Sequence, residues 1–217
     1  IWFPARAAFR AGGVTGINAT FWDRDSIGDY SAAFGLNVKA KGYASFAQGN
    51  FAQANGDNSF ATGAIIRANG TSSVCMGLQS TANGTASVAM GTGATTYGDF
   101  CFSAGFATRS YANYSTSIGV GSEAFSYGET ALGLYNSSYT PGSATSWVAT
   151  DRVLSVGNGS GFASQSTALC ILKNGNIGIG TTTPNAPLEF SNTVANRKIV
   201  LYDANNNDHQ YYGFGIN

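Results

Sequence analysis

The chain has 217 residues and a formal net charge of zero, and only 10% of its residues are charged, against about 25% in a typical globular protein. Aromatic residues make up 13% of the chain, more than a disordered low-complexity segment carries. No basic stripe favours nucleic acid as a partner, and no apolar run is long enough for a membrane-spanning helix. We therefore expect a folded protein with an uncharged surface rich in hydrogen-bonding groups.

The first 24 residues show no period. They contain Arg10-Ala11-Gly12-Gly13 and Phe21-Trp22-Asp23-Arg24. We predict that residues 1–24 form an N-terminal cap or lead-in segment, because the first unit of a stacked structure needs its open strand edge covered.

Residues 25–135 contain an internal repeat of 14 residues. A main series of eight glycines recurs at this spacing without a gap: Gly35, Gly49, Gly63, Gly77, Gly91, Gly105, Gly119 and Gly133. A second series lies midway between them: Gly28, Gly42, Gly56, Gly70, Gly84 and Gly98. A fixed period of this kind is typical of repeat architectures.

Small residues alternate at spacing two around each main-series glycine. Ser occupies most positions four residues before it, and Ala most positions two before and five after it. Alternation of this kind indicates strands, and we predict that the main-series glycines are structural turn residues, where positive φ or close backbone approach is needed. The pattern predicts an all-β fold, a parallel β-roll (solenoid) of 14-residue coils whose narrow lumen takes only small side chains.

The residues between these small ones are expected to point outward. Many are apolar, and a continuous outward apolar stripe marks an interface. One narrow roll also buries little core, so association is expected. The predicted interface residues are Phe46, Phe60, Val74, Met76, Val88, Met90, Phe102 and Ile118.

Two segments carry a resemblance to a known family. Ser87-Val88-Ala89-Met90-Gly91 and Ala52-Gln53-Ala54-Asn55-Gly56 resemble the S-V-A-x-G and A-x-A-x-G units of YadA-like heads of trimeric autotransporter adhesins. The resemblance implies a left-handed β-roll, a homotrimer and an extracellular place on a bacterial cell surface. Such heads also occur on tail fibres, so a virion or injection-system fibre is the other implied setting. The last unit departs from the pattern, with Gly128 in place of a regular second glycine, and we expect the roll to end there.

Residues 136–187 are predicted to form a β-rich transition module. Strands are expected over Trp147–Val156 and Ala168–Leu172, and Asn174-Gly175 is a hairpin signal. The stretch from Asn174 to Pro184 resembles the NGNIGIGTTTP modules of tail-fibre-like and adhesin-like proteins.

Residues 188–217 are predicted to begin a terminal β domain or knob. A strand is expected over Lys198–Tyr202. No YadA-like neck, stalk or anchor motif follows the roll in this sequence.

Residues suited to catalysis are sparse. His209 is the only histidine, and no G-x-S-x-G elbow accompanies it. The three cysteines, Cys75, Cys101 and Cys170, lack CxxC spacing and are predicted to be small buried residues rather than a disulfide framework or zinc ligands. We expect no catalytic site and no cofactor, so the chain is predicted not to be an enzyme.

Two acidic clusters resemble calcium loops incompletely. Asp23, Asp25 and Asp29 form the first, and Asp203, Asn205 and Asn207 the second, but each lacks the acidic residue at position twelve. Solvated turns are the favoured interpretation, and no metal site is predicted.

Aromatic residues crowd the last coils: Tyr97, Tyr111, Tyr114, Phe125 and Tyr127. If exposed they could stack on sugar rings or dock a protein, and otherwise they pack in the trimer or at the end of the roll.

Two functions are compatible with these features, and two others lack the pattern that they need. The first is a trimeric fibre for adhesion or receptor binding, whose partner is a host-surface glycan or protein; no receptor-binding residues are singled out by the sequence. The second is a structural spacer shaft that carries a separate tip domain. A polysaccharide depolymerase would need a carboxylate pair, and an ice-binding solenoid would need outward Thr ranks; neither pattern is present.

Overall fold

A computed structural model describes residues 1–192, 199–203 and 211–214. The chain starts with strands β1 (Trp2–Phe3) and β2 (Ala8–Gly13) and three short 3-10 helices, Pro4–Arg6, Gly16–Trp22 and Arg24–Ser26. Strand β2 pairs in parallel with the first strand of the repeat region, Phe9 opposite Ala32. The N-terminal segment therefore adds a strand to the roll itself.

The repeat region alternates one long and one short strand in each coil. The long strands are β3 (Ala32–Leu36), β5 (Phe46–Asn50), β7 (Phe60–Ala64), β9 (Val74–Leu78), β11 (Val88–Thr92), β13 (Phe102–Phe106), β15 (Thr116–Val120) and β17 (Thr130–Leu134). The short strands are β4 (Lys39–Ala40), β6 (Gln53–Ala54), β8 (Arg67–Ala68), β10 (Thr81–Ala82), β12 (Thr95–Thr96), β14 (Arg109–Ser110) and β16 (Glu123–Ala124).

Each strand pairs in parallel with its copy one coil away. From β3 to β17 every pair of opposite residues is 14 positions apart, as in Phe46↔Phe60 and Lys39↔Gln53. The long strands belong to a 14-stranded sheet and the short ones form a 7-stranded sheet. The predicted all-β solenoid with a 14-residue repeat is confirmed.

The lumen between the two sheets is filled by small side chains. The row two residues before each main-series glycine is completely buried, from Ala33 and Ala47 to Ala131, and so is the row five residues after the first seven of them, from Ala40 to Ala124. The Ser row is buried as well, and five of its hydroxyls donate to the carbonyl three residues earlier, as from Ser45 to Gly42 at 2.7 Å. The Ser73 hydroxyl has no partner in the described part of the chain. A further buried row, three residues after the main-series glycines, includes Val38 and Ile66, which are larger than the small side chains predicted for the lumen.

The main-series glycines lie inside the long strands, not at the turns where the sequence analysis placed them. They adopt positive φ, between 92° and 145°, and an added Cβ would lie about 2 Å from the carbonyl oxygen of the next coil. The backbones of adjacent coils approach too closely for a side chain at this position, and this explains why glycine recurs there in every coil.

The turns themselves use other residues in the left-handed conformation. Most lie two positions after a glycine, and most are not glycine themselves. They include Asn37, Phe51, Ile65, Gln79 and Ala107 on one edge, and Ala44, Asn58, Ser72, Ala86, Phe100 and Tyr114 on the other, where Tyr114 follows Ala112. Their N–H groups donate to the preceding coil, from Phe51 to Leu36 O at 3.0 Å and from Ile65 to Asn50 O at 2.9 Å. Coil stacking thereby offsets the backbone strain of a left-handed non-glycine residue.

The chain beyond the repeat continues the long sheet. Strand β18 (Arg152–Asn158) pairs in parallel with β17, and β19 (Thr167–Leu172) and β20 (Ile177–Ile179) follow antiparallel. The predicted hairpin at Asn174-Gly175 is thus confirmed. Strand β21 (Leu188–Phe190) completes this sheet, and β22 (Ile199–Asp203) and β23 (Tyr211–Phe214) pair separately.

The strand predicted from Trp147 begins only at Arg152. The preceding residues turn, with the Asp151 N–H donating to Val148 O at 3.0 Å. The Asp151 carboxylate also accepts the backbone N–H groups of Gly142 at 2.6 Å and Ser143 at 3.1 Å.

Candidate functional site

The long strands present one outward sheet surface, here called the apolar face. It consists of the residues three before, one before and one after each main-series glycine of β3 to β17. All eight predicted interface residues lie on it and are at least partly exposed, with Phe60 and Met90 at 36% and Ile118 at 40%.

The strand register joins most of these residues into two rows. Phe46, Phe60, Val74, Val88 and Phe102 follow one another in adjacent strands, and the Phe46 and Phe60 rings stack at 5.2 Å. In the second row Met76 adjoins Met90. Ile118 is separated from Met90 by Ala104.

The apolar face is larger than the sequence indicated. A third row directly follows the main-series glycines and exposes Leu36, Leu78, Phe106 and Leu134 by 42–50%. The signal that could have found it is the apolar residue immediately after most of these glycines. The strands β3, β5, β7, β9, β11, β13, β15 and β17 contain no charged residue at all.

The 7-stranded sheet presents the opposite surface, here called the polar face. It consists of the first residue of each short strand and the residue two positions later. The first row is Lys39, Gln53, Arg67, Thr81, Thr95, Arg109 and Glu123, and the second is Lys41, Asn55, Asn69, Asn83, Tyr97, Tyr111 and Phe125.

The aromatic residues of the last coils form two ladders. On the polar face Tyr97, Tyr111 and Phe125 stack with centroids 5.0 and 5.2 Å apart. At the adjacent turn Phe100 stacks on Tyr114 at 5.0 Å, and Tyr127 meets the Tyr114 ring edge-on. Because neighbouring rings cover each other's faces, sugar stacking is restricted to the ends of each ladder.

Glu129 closes the lumen at the C-terminal end of the roll. It occupies the row that most coils fill with Ser and is fully buried. Its Oε2 accepts the N–H groups of Phe125 at 2.9 Å and Ser126 at 3.0 Å, and its Oε1 accepts the Ser155 hydroxyl at 3.2 Å. Burial raises the pKa of Glu129, against the effect of these hydrogen bonds and of Arg152.

Replacing Glu129 with Gln is expected to flatten the pH dependence of stability. A buried carboxyl whose pKa is raised binds its proton more tightly in the folded protein than in the unfolded chain. The free energy of unfolding therefore falls as the pH rises from 4.5, the ordinary pKa of the carboxyl, toward its raised pKa in the folded protein. The amide keeps an acceptor for the backbone N–H groups but does not ionise. Urea unfolding at pH 5 and pH 8 measures how much the free energy of unfolding changes between these pH values. If the change is the same in Glu129→Gln as in the unmodified chain, another group causes the pH dependence.

Arg10 closes the lumen at the N-terminal end. It lies opposite Ala33 and is fully buried. Its guanidinium donates to Ser31 Oγ at 2.8 Å and to Ala40 O at 2.9 Å, while its Nε has no partner in the described part of the chain. Burial lowers the pKa of Arg10 to about 10. Each end of the lumen is thus occupied by a charged residue in a row of small ones.

The cysteines are confirmed as buried free thiols, and burial raises the pKa of Cys75 to about 11. Among the described residues no group of three or more His, Cys, Asp and Glu side chains could hold a metal ion. In the first acidic cluster Asp29 pairs with Arg6 at 2.8 Å. His209, Asn205 and Asn207 lie outside the described residues, so the second cluster and the lone histidine stay untested.

No helix in the described ranges is long and apolar enough to cross a membrane.

Comparison with protein families identifies the repeat. Residues 40–64 and 68–94 match the YadA head domain repeat, in two copies. These two segments of the β-roll are similar to YadA head repeats. Both copies lie in the part of the roll that runs from β4 to the residue before β12. The comparisons with curated proteins and with solved structures give no match. The similarity of residues 174–184 to tail-fibre modules remains a resemblance.

Proposed function

We propose that this chain forms a homotrimeric, extracellular fibre that mediates adhesion or receptor binding, with no enzymatic role. The observation that carries the proposal is the uncharged apolar face on a roll in which residues 40–64 and 68–94 match YadA head repeats. YadA-like proteins are homotrimeric, and such heads belong to surface-exposed adhesins.

The apolar face supports association of three copies. Its rows run without a charge over eight coils, a length of about 40 Å at about 4.8 Å per coil. A contiguous exposed surface of this kind is a common mark of protein–protein interfaces. Packing three rolls through it would bury the exposed Phe, Met and Leu side chains and leave the polar faces outward.

Trimerisation suits adhesion because it repeats every surface site three times on one rod. Weak binding at each site then becomes avid, provided the geometry allows simultaneous engagement. The parallel hydrogen bonds between coils would keep the three sites at fixed separations.

Multi-angle light scattering tests the assembly directly. We expect a particle of about three times the 22.4 kDa chain mass, and a monomer would contradict the proposal. Binding of the purified trimer to host cells, and to glycan and matrix-protein arrays, then tests adhesion. A stable trimer that binds no surface or array would instead favour a spacer shaft.

A further inference from the structure

The positive charges of the roll all lie on one surface. The long strands carry none, whereas the polar face carries Lys39, Lys41, Arg67 and Arg109 and one acid, Glu123. The chain as a whole is neutral, so this face is positive because charges are segregated and not because the chain is basic.

The acidic side chains of the roll are engaged within the molecule. Asp57 accepts the N–H of Tyr43 at 2.8 Å, and Asp99 accepts the N–H of Thr85 at 2.7 Å. Glu123 is buried and pairs with Arg109 at 2.8 Å.

Three cations on the same face lack such partners. Within the described part of the chain, no carboxylate lies within ion-pair distance of Lys39, Lys41 or Arg67. The Lys39 ammonium lies 5.2 Å from the Phe21 ring centroid. Lys41 and Arg67 are exposed. Lys39 and Arg67 are two coils apart in the same row, a separation of about 10 Å.

An amide ladder continues the surface next to these cations. Asn55 donates to Asn69 and Asn69 to Asn83, both at 2.9 Å, and Asn83 donates to Thr96 O at 3.1 Å. The ladder holds the three amides in fixed positions along the rod. Asn69 and Asn83 are exposed and Asn55 is partly exposed. The surface therefore combines sparse fixed positive charges with regularly spaced hydrogen-bonding groups.

We propose that the polar face from Lys39 to Asn83 binds an acidic polysaccharide that lies along the rod. Lys39, Lys41 and Arg67 would pair with its carboxylate or sulfate groups, and the amides would bond its hydroxyls. Nucleic acid fits less well, because its dense charge calls for many cations, whereas a glycan with charges on alternate sugars needs few. This inference names a ligand class for the adhesive function proposed above.

The test uses the whole chain and four fluorescent probes at about 0.15 M salt, where exposed charges are screened beyond about 8 Å. Heparin supplies sulfates, polygalacturonate supplies carboxylates, dextran is neutral, and double-stranded DNA is the competing polyanion. We expect binding to at least one acidic glycan and none to dextran. Stronger binding of heparin identifies sulfate as the favoured group, and stronger binding of polygalacturonate identifies carboxylate. Binding to neither, or DNA bound as tightly as both, overturns the proposal.

Variants then locate the site. Lys39→Gln, Lys41→Gln and Arg67→Gln combined are expected to weaken glycan binding about tenfold, since each exposed charge contributes modestly. Arg67→Gln alone should weaken it measurably, whereas Arg24→Gln, an equal charge change on an exposed residue of the 3-10 helix Arg24–Ser26, should not. Equal losses in these two single variants, or none in the triple variant, would overturn the assignment.

Measuring the oligomeric mass of the same samples distinguishes a failure of the ligand assignment from a failure of the fibre proposal. A trimer that binds no acidic glycan overturns the ligand assignment alone. A monomer that binds one, with loss in the triple variant, overturns the trimer and supports the ligand assignment.

Discussion

Phe60→Asp is expected to convert the proposed trimer into a folded monomer. Phe60 lies mid-stripe on the apolar face, stacked on Phe46 and opposite Val74 in the next strand. Its side chain points away from the lumen and is 36% exposed in the single chain, so the substitution leaves the roll's interior unchanged. In a trimer the carboxylate would lose its water three times over, at a cost of several kcal/mol per ion.

Light scattering and circular dichroism together test this result. Thr81→Asp is the matched control, because it introduces the same charge on an outward position of the polar face, and it should remain trimeric. Val74→Asp should behave as Phe60→Asp does. If Phe60→Asp ran as a stable trimer with the mass of the unmodified chain, the apolar face would not be the interface.

Gly63→Ala is expected to destabilise the roll by about 3 kcal/mol or more, through steric overlap and backbone strain together. Gly63 has φ of 145° inside β7, and its new Cβ would lie 2.0 Å from the Gly77 carbonyl oxygen. That oxygen belongs to the backbone of the next coil, so relief requires two hydrogen-bonded strands to separate.

Two further substitutions divide this effect into its causes. Gly56→Ala meets the Gly70 carbonyl oxygen at 2.1 Å without a positive φ, so it reports the steric part. Gly13→Ala, in β2, meets no atom within 4 Å and should be nearly neutral. Urea unfolding measures all three; similar midpoints for Gly63→Ala and Gly13→Ala would contradict the close coil spacing.

The rows of small residues could be predicted from the sequence, but not the reason for each choice. Alternation at spacing two identified Ala47 and Ser45 as inward residues, and both are buried. Only the structure shows why Ser is preferred in one row, where its hydroxyl bonds the carbonyl of the second-series glycine. A repeat pattern shows which rows of the lumen take small residues, whereas the hydrogen-bond partner of each residue depends on the local backbone geometry.

The turns were the main error of the sequence analysis. Glycine is the usual residue for positive φ, and this led to Gly49 and Gly63 being placed at turns. The chain instead turns at Phe51 and Ile65, whose φ is 57° in both cases. Bulky residues tolerate this conformation here because their N–H groups bond the preceding coil, an interaction between units that local propensity does not contain.

The residues that close the two ends of the roll could not be predicted from the sequence either. Arg10 and Glu129 break the small-residue pattern, yet both enter the lumen. Asn136, the first residue after the repeat, is buried and bonds Glu123 through both its amide oxygen and its amide nitrogen. A residue that departs from the repeat pattern could lie in the lumen or on the surface, and only its contacts with the neighbouring coils in the structure distinguish the two.

The sequence by itself determined the repeat, the 14-residue coil, the small-residue lumen and the apolar stripe. These follow from spacing and side-chain size, which a periodic chain displays directly. The tertiary structure alone decided which residues make the turns, what closes the lumen, how far the apolar face extends, and that the unpaired cations and the amide ladder share the opposite face. Those features depend on contacts between coils. A sequence repeat shows which residues occupy equivalent positions in successive coils, but it does not show which side-chain and backbone groups are in contact.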